Sequence, residues 1–155
     1  MRLSTYDESS RFELKILRYE FPRIEQDKWD SNWLMIEVVA SNQDGSFYGV
    51  APCLLTWEVK RLIAWLKELK SIGKVTDEFS SMEDQVVFHF DTQTHRLKVF
   101  LYHRWRQVKL LGKFADDLYE IWLEFPLSEL NLGLAIHQLE TQLAQFPERT
   151  NSKKS

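Results

Sequence analysis

The chain has few of the residues on which several common kinds of site depend. It contains one cysteine, Cys53, five glycines and four prolines. One cysteine excludes an intramolecular disulfide, and with no acidifying neighbour in the sequence we predict a buried, unreactive thiol in a reducing compartment. The glycines form no Gly-rich phosphate-binding motif, so a nucleotide cofactor has no support. We expect a cytoplasmic protein that needs no cofactor.

A long hydrophobic run and an excess of basic charge are also missing. The N-terminal residues 1–10 are polar and carry both charge signs, and no apolar run reaches membrane-spanning length, so we expect neither a signal peptide nor a membrane location. The net charge is −3, from 20 basic and 23 acidic residues. Nucleic-acid-binding proteins usually carry a basic excess on one face, which disfavours direct nucleic-acid binding.

Aromatic residues, by contrast, are abundant. Six Trp, five Tyr and ten Phe make up 14% of the chain. This share exceeds what a minimal core requires, and aromatic side chains are enriched at protein interfaces. The length of 155 residues fits one compact domain, 1–155, with a polar N-terminal end, 1–10, and a frayed polar tail, 150–155. We therefore expect a single domain that presents some of its aromatic residues to a partner.

Apolar periodicity predicts an α+β fold. Alternating segments predict strands over 11–21, 33–40, 46–51, 85–91, 94–104 and 119–125. Helical spacing predicts one helix that is capped at its start by Thr56 and stops at Gly73, and another that is capped by Ser128 and ends before Pro147. The order is β-β-β-α-β-β-β-α, and its short connections favour one antiparallel sheet of about six strands with both helices on one face.

The sheet face turned away from the helices is the predicted partner-binding surface. The inward positions of the hairpin 85–104 are apolar: Val86, Phe88, Phe90, Leu97, Val99 and Leu101. The outward positions mix aromatic residues with charges, as interfaces do. The residues predicted to bind the partner are Trp33, Glu37, Tyr102, Arg104, Trp122 and Glu124. The alternative is that the irregular segment 107–117 covers this face.

The sequence shows no recognisable catalytic arrangement. It has neither a Gly-x-Ser-x-Gly motif nor a His-x-x-x-His or Cys-x-x-Cys spacing. The alternative to a binding protein is a small hydrolase or ligand-binding domain that uses Asp27, Asp30 and His89 near Trp33. Carboxylate pairs are common, however, and residues 30–32 more often form an Asx-type turn before a strand.

Two further features have competing interpretations. The segment 103–106 with Lys109 is a basic and aromatic patch of the kind that holds single-stranded nucleic acid, but a solvated strand end is the more common outcome. Leu130 and Leu134 lie on the polar side of the last predicted helix, which would suit an oligomerising module.

Several aromatic-rich phrases in the chain resemble a known family. They are Tyr19-Glu20-Phe21-Pro22, Asp30-Ser31-Asn32-Trp33-Leu34, Cys53-Leu54-Leu55-Thr56-Trp57-Glu58, Phe125-Pro126-Leu127-Ser128 and Phe146-Pro147-Glu148-Arg149. Their order and spacing, from about residue 12 to residue 149, resemble the WapI-type immunity proteins of bacterial polymorphic toxin systems. The resemblance implies a cytoplasmic, non-enzymatic protein that binds and neutralises the toxic C-terminal domain of a cognate toxin. In the named type, that toxin domain cleaves tRNA.

Overall fold

The periodic apolar segments form strands and helices close to the predicted bounds. The computed structural model describes residues 1–102, 104–116 and 120–150. Within them the chain forms β1 (Arg2–Ser4), β2 (Arg11–Tyr19), β3 (Trp33–Asn42), β4 (Gly45–Leu55), α1 (Thr56–Ile72), β5 (Phe79–Ser80), β6 (Val86–Asp91), β7 (Arg96–Tyr102), β8 (Gln107–Gly112), β9 (Glu120–Pro126) and α2 (Leu132–Gln145). Tyr119, predicted to begin a strand, and residues 151–155 of the predicted tail lie outside the described residues.

The strands divide between two antiparallel sheets. The first sheet has the order β1-β2-β3-β4-β8 and the second has the order β5-β6-β7-β9. The α+β class, the antiparallel pairing and the two helices are confirmed, whereas the expectation of one sheet of about six strands is corrected. Alternation along a strand specifies which residues share its faces, but it does not specify the edge with which the strand pairs.

Both sheets and both helices contribute to one buried apolar cluster. Phe12 of β2 meets Phe88 of β6 edge to face, with ring centroids 5.6 Å apart, so the two sheets are in contact through this cluster. The six inward positions predicted for the hairpin are all buried, as is the apolar stripe of α1. Cys53 is fully buried too, as predicted, and burial raises the pKa of its thiol.

The N-terminal residues are part of this packing. Residues 1–10 form a polar segment in sequence, yet Met1 and Leu3 are buried in the cluster. β1 pairs with β2 at the edge of the first sheet, with Leu3 opposite Phe12. The side chain of Gln138 on α2 accepts a hydrogen bond from the backbone amide of Arg2 at 2.9 Å. The N-terminal segment thus adds a strand to the first sheet and contacts α2.

The helix ends differ from the predictions in their caps. α1 begins at Thr56, with Leu55 rather than Thr56 in the capping position, and it ends as predicted at Gly73, where φ is 79°. At α2 the cap is Asn131, whose Oδ1 accepts from the amide of Leu134 at 3.0 Å. Ser128 lies instead in a short 3-10 turn before the helix.

A buried asparagine joins three segments that are distant in sequence. Asn32 is fully buried, and its Nδ2 donates to the carbonyl oxygens of Lys28 at 2.8 Å and Arg149 at 2.9 Å. Its Oδ1 accepts from the amide of Arg149 at 2.8 Å and from Oγ1 of Thr56 at 3.0 Å. The loop before β3, the start of α1 and the C-terminal end of the chain therefore meet at one amide side chain.

Arg149 extends this junction to the end of β2. Its guanidinium lies 3.7 Å from the ring centroid of Tyr19. It also donates to the carbonyl oxygen of Ile24 at 2.9 Å and to that of Pro22 at 3.2 Å. Four of the aromatic-rich phrases of the sequence thus contribute residues to one junction.

Glu58 in the first turn of α1 is a buried carboxylate. Only 4% of its side chain is exposed. It accepts hydrogen bonds from the amide of Leu55 at 3.0 Å and from the amide of Met82 at 2.8 Å, so it holds the loop before β6 against the helix. Burial raises the pKa of this carboxyl above its ordinary value of 4.5, although the two amides and the nearby Arg61 oppose the shift.

A Glu58→Gln variant is expected to change how stability depends on pH. Between the ordinary pKa and the raised pKa of Glu58 the native state binds more protons than the unfolded state, so the wild type loses free energy of unfolding as pH rises. The introduced amide cannot ionise, so the variant lacks this loss. The stability of the wild type minus that of the variant should therefore fall from about pH 4.5 upward, measured by urea unfolding. Glu68→Gln, on the exposed side of α1, is the control for the exchange of a carboxylate for an amide; a flat difference for Glu58→Gln would contradict the prediction.

Candidate partner-binding surface

The six residues predicted to bind a partner lie on two sheets rather than on one face. Trp33 and Glu37 lie on β3 in the first sheet. Tyr102, Trp122 and Glu124 lie on β7 and β9 in the second sheet, and Arg104 follows the end of β7. The prediction that all six share a face is wrong, because both sheets direct their apolar sides into the same core and their outward sides are separate surfaces.

On the second sheet the outward side chains form a row of aromatic residues. Phe100 is the register partner of Val87 on β6 and of Trp122 on β9. The rings of Phe100 and Trp122 have centroids 6.4 Å apart, and Nζ of Lys98 lies 5.6 Å from the Trp122 ring centroid. Trp122 nevertheless remains 47% exposed. We call the surface formed by Phe100, Tyr102 and Trp122 the aromatic face.

An acidic cleft borders the aromatic face on one side. We call it the loop cleft. Its volume is about 550 Å³, and the residues that line it include Glu78, Glu83, Asp84, Glu120, Tyr102 and Arg104. It therefore places four carboxylates beside one arginine. Burial raises the pKa of the Tyr102 phenol, and Glu120, Glu78 and Asp84 raise it further, as expected beside several carboxylates.

A second acidic cleft borders the aromatic face at β9. We call it the edge cleft. Its volume is about 620 Å³, and the residues that line it include Asp44, Asp116, Glu124, Lys113 and Trp122. Nζ of Lys113 lies 3.5 Å from a carboxylate oxygen of Asp44, and Arg96 pairs with Glu124 at 3.4 Å. Sequence reasoning missed Asp44 and Asp116, because they lie in a turn and in a 3-10 segment where no periodicity indicates a face.

Residues 107–116, the described part of the segment 107–117, do not cover the aromatic face. Its first half is β8, which pairs with β4 and so extends the first sheet. In the neighbouring basic and aromatic patch, Trp105 is buried against Phe47, with ring centroids 5.4 Å apart, and Arg106 pairs with Glu20 at 2.6 Å. His103 lies outside the described residues. Trp105 is thus a core residue rather than a platform for bases.

On the first sheet the outward side chains include charges of both signs. Glu37 is the register partner of Lys15, and it accepts a hydrogen bond from the hydroxyl of Tyr48 at 3.2 Å. Trp33 is half-buried at the start of β3. Val39 and Tyr48 are register partners, and each remains 39% exposed. This face is therefore partly apolar but has no concentration of one charge.

The residues considered for a hydrolase do not come together. Oδ1 of Asp27 accepts hydrogen bonds from the amides of Trp29 at 2.8 Å and Asp30 at 2.7 Å, so it holds the chain that leads into the 3-10 turn before β3. Asp30 is exposed in that turn, which replaces the predicted Asx turn. His89 lies on β6 of the second sheet, where its Nδ1 is 3.1 Å from a carboxylate oxygen of Glu78.

The described residues contain neither a metal-binding group nor a membrane-spanning helix. No group of three or more His, Cys, Asp or Glu side chains there could hold a metal ion. None of the helices in the described ranges is long and apolar enough to cross a membrane. Of the two leucines considered for self-association, Leu130 packs partly against the core and Leu134 is 50% exposed.

Comparison with known proteins identifies one family. A family model described as the immunity protein WapI-like family matches residues 2–147. The match includes all nine strands and both helices of the described residues. No curated protein and no solved structure gives a significant match to the chain.

Proposed function

This chain belongs to the WapI-like immunity protein family, and we propose that it binds and neutralises the toxic C-terminal domain of a cognate polymorphic toxin. The observation that carries the proposal is the family match over residues 2–147. The protein acts by binding and catalyses no reaction of its own. In support, Asp27 and Asp30 lie at the 3-10 turn before β3 of the first sheet, whereas His89 lies on β6 of the second sheet.

We further propose that the toxin domain is an RNA-cleaving nuclease and that the chain acts in the cytoplasm, where such a nuclease meets its substrate. A protein that binds nucleic acid carries a basic surface, because it must neutralise phosphates. The loop cleft and the edge cleft together place seven carboxylates next to exposed aromatic side chains. Such a surface suits a basic protein and repels RNA, so the chain contacts the toxin and not its substrate.

The test is co-expression with the toxin domain encoded beside this chain's gene. Cells that produce that toxin domain alone should stop growing and lose intact RNA, whereas cells that also produce this chain should survive. The purified pair should form a complex by calorimetry. A toxin domain from an unrelated system is the control, and it should kill cells whether or not this chain is present. Death of the cells despite folded chain, together with no heat of binding, would overturn the proposal.

A further inference from the structure

We infer that a basic protein docks on the aromatic face of the second sheet, between the loop cleft on one side and the edge cleft on the other. The inference rests on the proposed function, since the basic partner is taken to be the toxin domain. Beyond that function, it assigns the docking surface to the second sheet, the anchor to Trp122 and a positive charge to the partner. Three observations support it.

The first observation is that an exposed aromatic side chain is held in place before any partner binds. Trp122 is 47% exposed, yet Phe100 and Lys98 contact its ring from the neighbouring strand. Tryptophan is the residue most enriched among those that dominate binding energy at interfaces. A side chain that is already ordered loses less conformational entropy on binding, so Trp122 is suited to anchor a partner.

The second observation is the distribution of charge. The loop cleft has four carboxylates against Arg104, and the edge cleft has three against Lys113 and against Arg96, which pairs with Glu124 from the neighbouring strand, so carboxylates are in excess in both. Opposite potentials on two surfaces accelerate encounter and exclude partners of the wrong sign. A second copy of this chain would present the same acidic clefts and be repelled. A basic partner is therefore the occupant that the charges favour.

The third observation is the contrast with the outward face of the first sheet. There Lys15 is the register partner of Glu37, and Glu13 lies 3.1 Å from Arg11 and 3.6 Å from Arg2. Tyr48 on that face is exposed to a degree similar to Trp122, at 39% against 47%. The two faces thus offer matched aromatic residues in different electrostatic surroundings, which supplies the controls for an experiment.

The experiment measures binding of the neighbouring toxin domain to full-length variants by calorimetry and stopped-flow fluorescence. Trp122→Ala should raise Kd about 30-fold, equivalent to about 2 kcal/mol. Charge reversal at one exposed residue of each cleft, Glu120→Lys with Asp116→Lys, should lower the association rate about tenfold and remove most of its dependence on salt. On the other face, Tyr48→Ala and Glu37→Lys should change Kd by less than about threefold.

The outcomes separate the inference from the proposed function. If the wild type binds and the first-sheet variants weaken binding while the second-sheet variants do not, the docking surface is on the first sheet and the inference is wrong. If the wild type neither binds nor protects, the proposed function fails and the inference fails with it. Circular dichroism and thermal unfolding of each variant exclude loss of fold as the cause. Should Trp122→Ala unfold, the charge-reversal pair decides, because Glu120 and Asp116 are exposed.

Discussion

Asn32→Asp is expected to lose about 3 kcal/mol or more of the free energy of unfolding. The substitution keeps the shape of the side chain and its acceptor oxygen, so Thr56 and the amide of Arg149 retain a partner. It removes both N–H donors, and it places a carboxylate oxygen against the carbonyl oxygens of Lys28 and Arg149 in a fully buried site. A buried polar group without a partner costs about 1–3 kcal/mol, and a buried charge costs more. Urea unfolding at neutral pH measures the difference.

The control is the same substitution at a site that uses only the acceptor. Asn42 accepts through Oδ1 from the amide of Asp44 at 2.8 Å in the turn between β3 and β4, and an aspartate does so equally well. Asn42→Asp should therefore change stability by about 0.5 kcal/mol or less. Equal effects at the two positions would show that the donors of Asn32 do not hold the junction together.

The local parts of the fold could be predicted from the sequence. The apolar stripe of α1 and the inward positions of the β6–β7 hairpin are buried as expected, because both depend on periodicities of about 3.6 and 2 residues along one element. β8 could not be predicted in this way. It lies at a sheet edge with most of its side chains exposed, and only Leu110 is half-buried, so its sequence has no alternation to detect.

The candidate surface could be predicted only in part, because periodicity assigns the faces of a strand but not the strands with which it pairs. Tyr102, Trp122 and Glu124 share the outward face of one sheet as expected, because β7 and β9 are paired and alternation assigns their faces. Trp33 and Glu37 were assigned to that face although β3 pairs with β2 and β4 in the other sheet. The pairing of strands separated by a helix depends on long-range packing, which periodicity within one strand does not report.

Phe88→Ala is expected to cost about 4 kcal/mol of the free energy of unfolding. Phe88 is fully buried at the point where the first sheet, the second sheet and α1 meet. Its ring centroid lies 5.6 Å from that of Phe12, 6.0 Å from that of Phe79 and 6.2 Å from that of Trp65. Truncation leaves a cavity bordered by three aromatic rings that cannot collapse without moving separate elements, so the loss of packing adds to the lost hydrophobic transfer energy. Since a domain of this size has a net stability of about 5–15 kcal/mol, the variant would keep only a fraction of it.

Two companion variants make this result interpretable. Phe100→Ala removes the same atoms from the outward side of the neighbouring strand, where the side chain is half-buried, and it should cost about 1 kcal/mol. Phe88→Leu fills most of the cavity and should cost less than about 1.5 kcal/mol, so it remains measurable if Phe88→Ala fails to fold. Urea unfolding of all three gives the order Phe88→Ala, Phe88→Leu, Phe100→Ala for decreasing cost, with the last two close together. A Phe88→Ala variant no less stable than Phe100→Ala would mean that the two sheets do not depend on this side chain for their contact.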